Sequence, residues 1–287
     1  MAEYDTVAIV GVGLIGGSIG LALRERRLAR KIIGVGRRQQ SLDVARDIGA
    51  IDNGVTNLSG AVSQAQLIVV ATPVDTIAER VMQASAACPA GSLITDAGST
   101  KEAIVAAIDA GLAPRRSGPR FVGSHPLAGD HRTGPQHSRA DLFEDRIVVI
   151  TPTEHTRPAA ETEVRGFWEN LGAEVRSMSP ADHDSALAMT SHLPHAVAVA
   201  LAATTPQELL SLTAGGWRDT TRVAAGDPAL WHAIFTANRQ FVIEAIARME
   251  KTFTNFRQSL ESGDNESLMT LLELAARRKR ERDALGD

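Results

Sequence analysis

Val7-Ala8-Ile9-Val10-Gly11-Val12-Gly13-Leu14-Ile15-Gly16-Gly17-Ser18 decides how this chain is read. Its first four residues are an apolar run rich in valine and isoleucine, too brief for a helix. Glycines follow at the spacing G-x-G-x-x-G, and Ile19-Gly20-Leu21-Ala22-Leu23 continues with helical spacing. The order is strand, tight turn, helix, the context in which this spacing marks a dinucleotide site. Gly11 lets the chain turn sharply. Gly13 has no side chain, so the backbone can approach a pyrophosphate. Gly16 lets the helix lie close against the strand. The helix start, at Leu14 and Ile15, then turns free N–H groups and its positive dipole end toward the phosphates.

The pattern repeats outward from that stretch. Residues 31–35 read as a second strand, 67–71 as a continuous apolar strand buried on both faces, and 92–96 as another. Helical spacing follows each, over 41–48, over 74–87 after the helix-entry pair Thr72-Pro73, and beyond Lys101. Alternation of this kind predicts a doubly wound, Rossmann-type parallel sheet with ligands outside the carboxyl ends of its strands. A polar loop at 114–119 leads to a short strand at 121–123, which delivers Ser124-His125-Pro126-Leu127-Ala128-Gly129. A strand at 146–150, a helix at 159–171 and a last strand at 174–178 follow. From Pro180 strand signals cease, and 181–203, 206–212, 228–256 and 266–285 read as helix. The expected division is a dinucleotide-binding domain at 1–178 and an all-helical substrate-binding and dimerisation domain at 179–287.

Composition narrows the partners. The 287 residues are 44% apolar, enough for a sizeable core, and the net charge of −4 argues against nucleic acid held by charge. A single cysteine, Cys88, leaves neither an intrachain disulfide nor a cysteine-rich metal site. No apolar run is read as reaching transmembrane length, and strand one begins too early to leave room for a signal peptide. The expectation is a cytoplasmic protein with no membrane and no metal. The run Arg277-Arg278-Lys279-Arg280 reads as a solvated helix face.

Polar clusters supply the chemistry. His125 lies at a strand end on the expected cofactor side, and a histidine there titrates near neutrality and can serve as general base. From position alone, a loop histidine holding a backbone carbonyl reads equally well. His192 and His195, three apart in Ser191-His192-Leu193-Pro194-His195, can face the same way in a helical stretch that Pro194 should kink, without a third ligand for a metal. Gly215-Gly216-Trp217-Arg218-Asp219-Thr220-Thr221-Arg222 reads as a turn dense in donors, in which Arg222 or Arg218 could clamp a carboxylate.

Together with Asp96-Ala97-Gly98-Ser99-Thr100-Lys101 and Gly226-Asp227-Pro228-Ala229-Leu230-Trp231, these stretches resemble the prephenate and arogenate dehydrogenases of tyrosine biosynthesis, in that family's order. The resemblance implies oxidative decarboxylation: hydride goes to a nicotinamide, the ring carboxylate leaves as carbon dioxide, and the ring becomes aromatic. It also implies roles. His125 accepts the substrate hydroxyl proton, Ser99 orients the pair, Arg222 grips a carboxylate, and His192 and His195, with Gly216 and Trp217, line the site. Family members dimerise through the helical domain, so a homodimer is expected. Where many members carry an acid two places after Gly129, this chain has His131. It ends at Asp287, too early for the regulatory domain of some relatives, so tyrosine inhibition is expected only at the active site. The residues do not choose between prephenate and arogenate. A β-hydroxyacid dehydrogenase or imine reductase of similar architecture would need a catalytic lysine that is not evident. A non-catalytic dinucleotide sensor would leave His125, Ser99 and Arg222 without a joint purpose.

Cofactor choice is read from the chain itself. NAD-selective enzymes usually place an acid at the end of strand two, where it binds the ribose 2′-hydroxyl. Here Val35-Gly36-Arg37-Arg38-Gln39-Gln40-Ser41 has none before Asp43. Gly36 leaves space, Arg37 or Arg38 can bind a 2′-phosphate, and Ser41 adds a hydroxyl. NADP is expected to be preferred, with NAD usable.

Overall fold

The computed structural model describes residues 3–112, 118–130 and 132–284. In chain order its first part runs β1 (Tyr4–Val10), α1 (Leu14–Glu25), β2 (Ala29–Val35), α2 (Gln39–Asp47), β3 (Asn53–Val55), α3 (Leu58–Val62), β4 (Leu67–Val70), α4 (Ile77–Ala87), β5 (Leu93–Asp96), α5 (Glu102–Leu112), β6 (Arg120–Pro126), β7 (Ile147–Thr151), α6 (Pro158–Asn170) and β8 (Glu174–Ser177). The strands form one sheet in the order β3-β2-β1-β4-β5-β6-β7-β8. β1 to β6 are mutually parallel, β7 runs antiparallel to β6, and β8 is parallel to β7. Side chains alternate across β1: Val7 and Ile9 join the core on one face, Ala8 and Val10 that on the other. With both faces covered, the stretch Val7 to Val10 of β1 and all of β4 must be apolar, and they are.

The glycine-rich turn follows the geometry its residues demand. Gly11 has φ +97°, and a Cβ there would lie 2.4 Å from the Ala71 carbonyl oxygen. A Cβ at Gly16 would lie 1.9 Å from the Gly11 carbonyl oxygen, so only glycine lets α1 close on the turn. The short pair β3 and α3 was not anticipated, because three residues (Asn53–Val55) are too few to show an alternating pattern. The strand expected at 121–123 is longer. β5 pairs with β6 only as far as Thr95↔Val122, and β6 continues past it as Gly123↔Thr151, Ser124↔Ile150 and His125↔Val149 with β7. His125 is therefore on a strand overhang, not in a loop.

The helical part continues with α7 (Pro180–Leu187), α8 (Leu193–Thr204), α9 (Gly215–Thr221), α10 (Pro228–Ala237), α11 (Arg239–Ser262) and α12 (Asn265–Ala284). Two expectations change here and one is met. The kink expected at Pro194 within 181–203 takes the form of a wide i→i+5 turn at Ala188–His192, next to the proline, which has no N–H to continue the ladder. The donor-rich turn at 215–222 is instead the helix α9, followed by a 3₁₀ turn at Arg222–Ala225. The helix expected over 228–256 breaks at Asn238, whose side chain is spent on buried hydrogen bonds. By length and composition Pro180–Thr204 does reach membrane-spanning dimensions. It carries buried His183, Asp184, His192 and His195, which is the composition of a site, not of a lipid-facing surface.

The chain forms two compact units, residues 1–239 and 240–287. Strands end near residue 178, but the first unit runs on to Arg239: α7 packs on α5, and Ile234 of α10 enters the core beneath β4. The second unit comprises the rest of α11 and α12, joined through Gly263 at φ +69°. It exposes Phe253, Leu260, Met269 and Leu272. The loop expected at 114–119 lies largely outside the described residues, as do His131 and Leu285.

Candidate active site

At the carboxyl edge of the sheet, the turn after β1 presents an uncapped helix. Gly13 is the N-cap of α1 with no side-chain cap, and nothing lies within 4 Å of where its Cβ would be. The first-turn N–H groups at Leu14 and Ile15 have no intrahelical partners. An open cradle at Gly13 beside free N–H groups fits a dinucleotide pyrophosphate. Thr72 and Pro73 follow β4 beside this turn, with the Thr72 hydroxyl oxygen accepting from Thr76 Oγ1 at 3.0 Å. Arg37 and Arg38 follow β2; both are exposed, with no ion pair among the described residues, and Ser41 is half-buried in α2. Asp43 is engaged locally, 3.4 Å from Arg46 and accepting from Gln39 at 3.1 Å.

The adjoining strand ends hold the reactive group. Ser124 is bolted in place: its N–H donates to Asp96 Oδ1 at 3.0 Å, its hydroxyl to the Asp96 carbonyl, and Trp168 Nε1 donates to its Oγ at 3.0 Å. Lys101, fully buried, binds the Asp96 carboxylate and donates to the Ser124 carbonyl at 2.9 Å. Burial pushes the Lys101 ammonium below its ordinary pKa, and Asp96 and Asp184 oppose that shift. His125 extends from this clamp. Burial holds its imidazole well below the ordinary histidine pKa, reinforced by His183, Lys101 and His192, so the ring is neutral at neutral pH. Its Nδ1 lies 2.9 Å from His183 Nε2, and His183 Nδ1 lies 2.7 Å from Asp184 Oδ1.

Expected site residues divide in the structure. Ser99 follows β5, half-buried, its hydroxyl without a hydrogen-bond partner among the described residues; the group bonded to His125 is His183. His192 is buried, with Nδ1 3.0 Å from Asn238 Nδ2, and burial lowers its pKa to about 4 despite nearby Asp184. His195 stacks on Trp231, centroids 3.5 Å apart and planes at 11°, and burial lowers its pKa too. Gly216 is exposed, and Trp217 Nε1 donates to Thr205 Oγ1 at 2.9 Å, tying α9 to α8. Arg222 is exposed, with no ion pair among the described residues, in the 3₁₀ turn that packs on α8.

Sequence reasoning missed His183, Asp184 and Asn238. Adjacent residues on a helix do not normally face each other, so His183-Asp184 carried no pairing signal. Asn238 sat inside what read as one continuous helix. Lys101 was visible only as a member of a motif.

A dinucleotide cradle at one strand end, with a half-buried neutral histidine three strands away on the same edge, defines an NAD(P)-dependent dehydrogenase. The chain belongs to the prephenate dehydrogenase family. The family model described as "Prephenate dehydrogenase, nucleotide-binding domain" matches residues 19–177, and "Prephenate dehydrogenase, dimerization domain" matches 179–274. The chain is 33% identical to a prephenate dehydrogenase of Bacillus subtilis, over 94% of its length and 74% of the relative's. It is 31% identical to a cyclohexadienyl dehydrogenase of Zymomonas mobilis, over 94% and 93%. The crystal structure of prephenate dehydrogenase from A. aeolicus, in complex with hydroxyphenyl propionate and NAD+, is similar with a TM-score of 0.89. Its identity is 33%, covering 96% of this chain and 98% of that one.

Proposed function

We propose that this enzyme oxidatively decarboxylates prephenate or arogenate to 4-hydroxyphenylpyruvate or tyrosine, with His125 as the base. When bound, the nicotinamide accepts hydride from the ring carbon bearing the hydroxyl. His125 takes the hydroxyl proton at Nε2, the ring nitrogen that His183 leaves free. The ring carboxylate departs as carbon dioxide, its electron pair aromatises the ring, and the phenolate oxygen so formed recovers the proton from His125, so the protein orients groups and handles one proton. Ser99 is assigned to orient His125 and the hydroxyl. Arg222, exposed and unspent on any ion pair among the described residues, is assigned to a substrate carboxylate. His192, His195, Gly216 and Trp217 line the helical side. The observation that carries the reading is His125 itself: neutral, half-buried, and held on the β6 overhang at the cofactor edge. Incubation with oxidised dinucleotide and either prephenate or arogenate, followed at the reduced nicotinamide absorbance, tests it; no turnover of either overturns it.

Three finer assignments belong to this reading. NADP is the preferred cofactor, because Gly36 stands where an acid would repel a 2′-phosphate, Asp43 is engaged with Arg46 and Gln39, and Arg37 and Arg38 are unpaired among the described residues. Steady-state kinetics with both cofactors decide: a higher kcat/KM for NAD defeats the preference, and Arg37→Ala with Arg38→Ala should raise KM for NADP. Residues 179–287 form the substrate-binding and dimerisation domain of a homodimer, supported by the family description and by exposed Phe253, Leu260 and Met269. The enzyme works in the cytoplasm.

A further inference from the structure

We propose that Asp184 fixes the ring tautomers of two site histidines in opposite senses, holding His125 as a hydrogen-bond acceptor and His192 as a donor. Asp184 is buried in α7, and both carboxylate oxygens already accept backbone N–H groups at the start of α5. Lys101 N donates to Oδ1 at 2.7 Å and Glu102 N to Oδ2 at 2.9 Å. A carboxylate at a helix start is held in its acceptor form. His183 Nδ1, 2.7 Å from Oδ1, must therefore carry the proton of that ring. A ring that holds one proton then has a bare lone pair at Nε2. His125 Nδ1, 2.9 Å away, must supply the proton between them, and His125 Nε2 is left as the acceptor.

The second branch starts from the same residue's backbone. Asn238 Nδ2 donates to the Asp184 carbonyl at 2.8 Å, which fixes which way its amide points. The second N–H of that nitrogen meets His192 Nδ1 at 3.0 Å. Nδ1 of His192 is thus an acceptor, and its ring proton sits on Nε2. The site gains one proton acceptor and one neutral N–H donor from two like residues. When His125 takes a proton at Nε2, its Nδ1–H still donates to His183, and the new positive charge lies one ring away from the Asp184 carboxylate. The other groups facing His125 are Lys101, paired with Asp96, and His192, and neither adds a second anion beside it.

Asp184, His183 and Asn238 are positioning residues in this arrangement. The catalytic half rests on His125 being the base, but the tautomers do not. Long-range ¹H–¹⁵N spectra of the full-length enzyme labelled at histidine, at neutral pH and without ligands, read them directly, with His125→Asn and His192→Asn assigning the two rings. The expected result is a protonated Nδ1 on His125 and a protonated Nε2 on His192. The reverse on either ring overturns the inference. Correct tautomers with undiminished turnover in His125→Asn would instead overturn the reaction reading. In Asp184→Asn the side chain loses its charge and turns an NH2 toward one of the two α5 N–H donors, so no anion holds His183. The variant's kcat should fall by about 10²- to 10⁴-fold with KM little changed, as for loss of the orienting carboxylate in a catalytic triad. The acid limb of kcat should move to lower pH, because an imidazolium has lost its counter-charge. A folded Asp184→Asn with normal kcat, or with reduced kcat and an unmoved limb, refutes the relay. Should that variant fail to fold for want of the α5 cap, the spectrum of the unaltered enzyme still decides.

Discussion

Lys101→Met should destabilise this enzyme far more than any surface charge deletion. The Lys101–Asp96 pair is wholly buried on both sides. Removing one partner of such a pair leaves a buried charge without its counter-charge and costs about 3–5 kcal/mol. Asp96 keeps two backbone donors, Gly98 N at 2.9 Å and Ser124 N at 3.0 Å, which places the loss toward the lower end. Set against a total stability of about 5–15 kcal/mol, even that is a large fraction. The Arg257–Glu261 pair, two-thirds exposed at the arginine, is the control: Arg257→Ala should cost under about 0.5 kcal/mol. Denaturant titration of both variants beside the parent enzyme gives the comparison through the shift in midpoint at constant slope. Because Lys101 also holds the Ser124 carbonyl next to His125, the folded Lys101→Met protein should lose up to about 10²-fold in kcat through misplacement of the base. A loss of stability below about 1 kcal/mol would refute the reasoning, since it would mean that Asp96 does not depend on Lys101 for its counter-charge.

The acid limb of kcat/KM should fall below pH 6.5, not at the 6 to 7 of an unperturbed histidine base, since burial lowers the pKa of His125 and activity needs its neutral form; a limb above 6.5 contradicts the assignment. His125→Asn should keep affinity and lose about 10²-fold or more in kcat. Gly13→Ala meets nothing within 4 Å and should fold normally yet bind dinucleotide poorly in calorimetry, whereas Gly16→Ala, with its Cβ 1.9 Å from a carbonyl oxygen, should be unstable. Equal behaviour of the two would refute the cradle. Arg222→Ala should raise KM chiefly, by an amount equivalent to about 2–5 kcal/mol, because a carboxylate clamp serves ground and transition states alike; an unchanged KM removes it from the site.

Much of the fold was legible because parallel strands buried on both faces write themselves as unbroken apolar runs. Leu67 to Val70 could be nothing else, and the turn glycines announced themselves by spacing. β3 was not legible, being three residues paired along one edge. The helix break at Asn238 was hidden for a different reason: local propensity favours continuing the helix, and what stops it is tertiary, the buried bonds of Asn238. The interruption at Ala188–His192 had a local signal, Pro194, whose missing amide predicts a kink. His125 was visible as a residue type at a strand end, but its partner was not, because a hydrogen bond across 58 positions has no sequence period.

The same contrast explains how the site is divided. The sheet holds the position of His125: Ser124, immediately before it, is bound through N–H, carbonyl and hydroxyl to β5, to Lys101 and to Trp168, so the base cannot drift relative to the cofactor edge. The helical region supplies its chemical character, because the ring that touches it, His183, belongs to α7 and is oriented by Asp184. Asp184 in turn receives the first N–H groups of α5, so it also caps a helix of the sheet's own layer. Its side chain, which caps α5 and orients the His183–His125 relay, cannot be exchanged for another acceptor without disturbing both, whereas its hold on His192 runs through the backbone carbonyl. Position was therefore readable from strand order, whereas proton placement required the folded contacts of α5, α7 and α10.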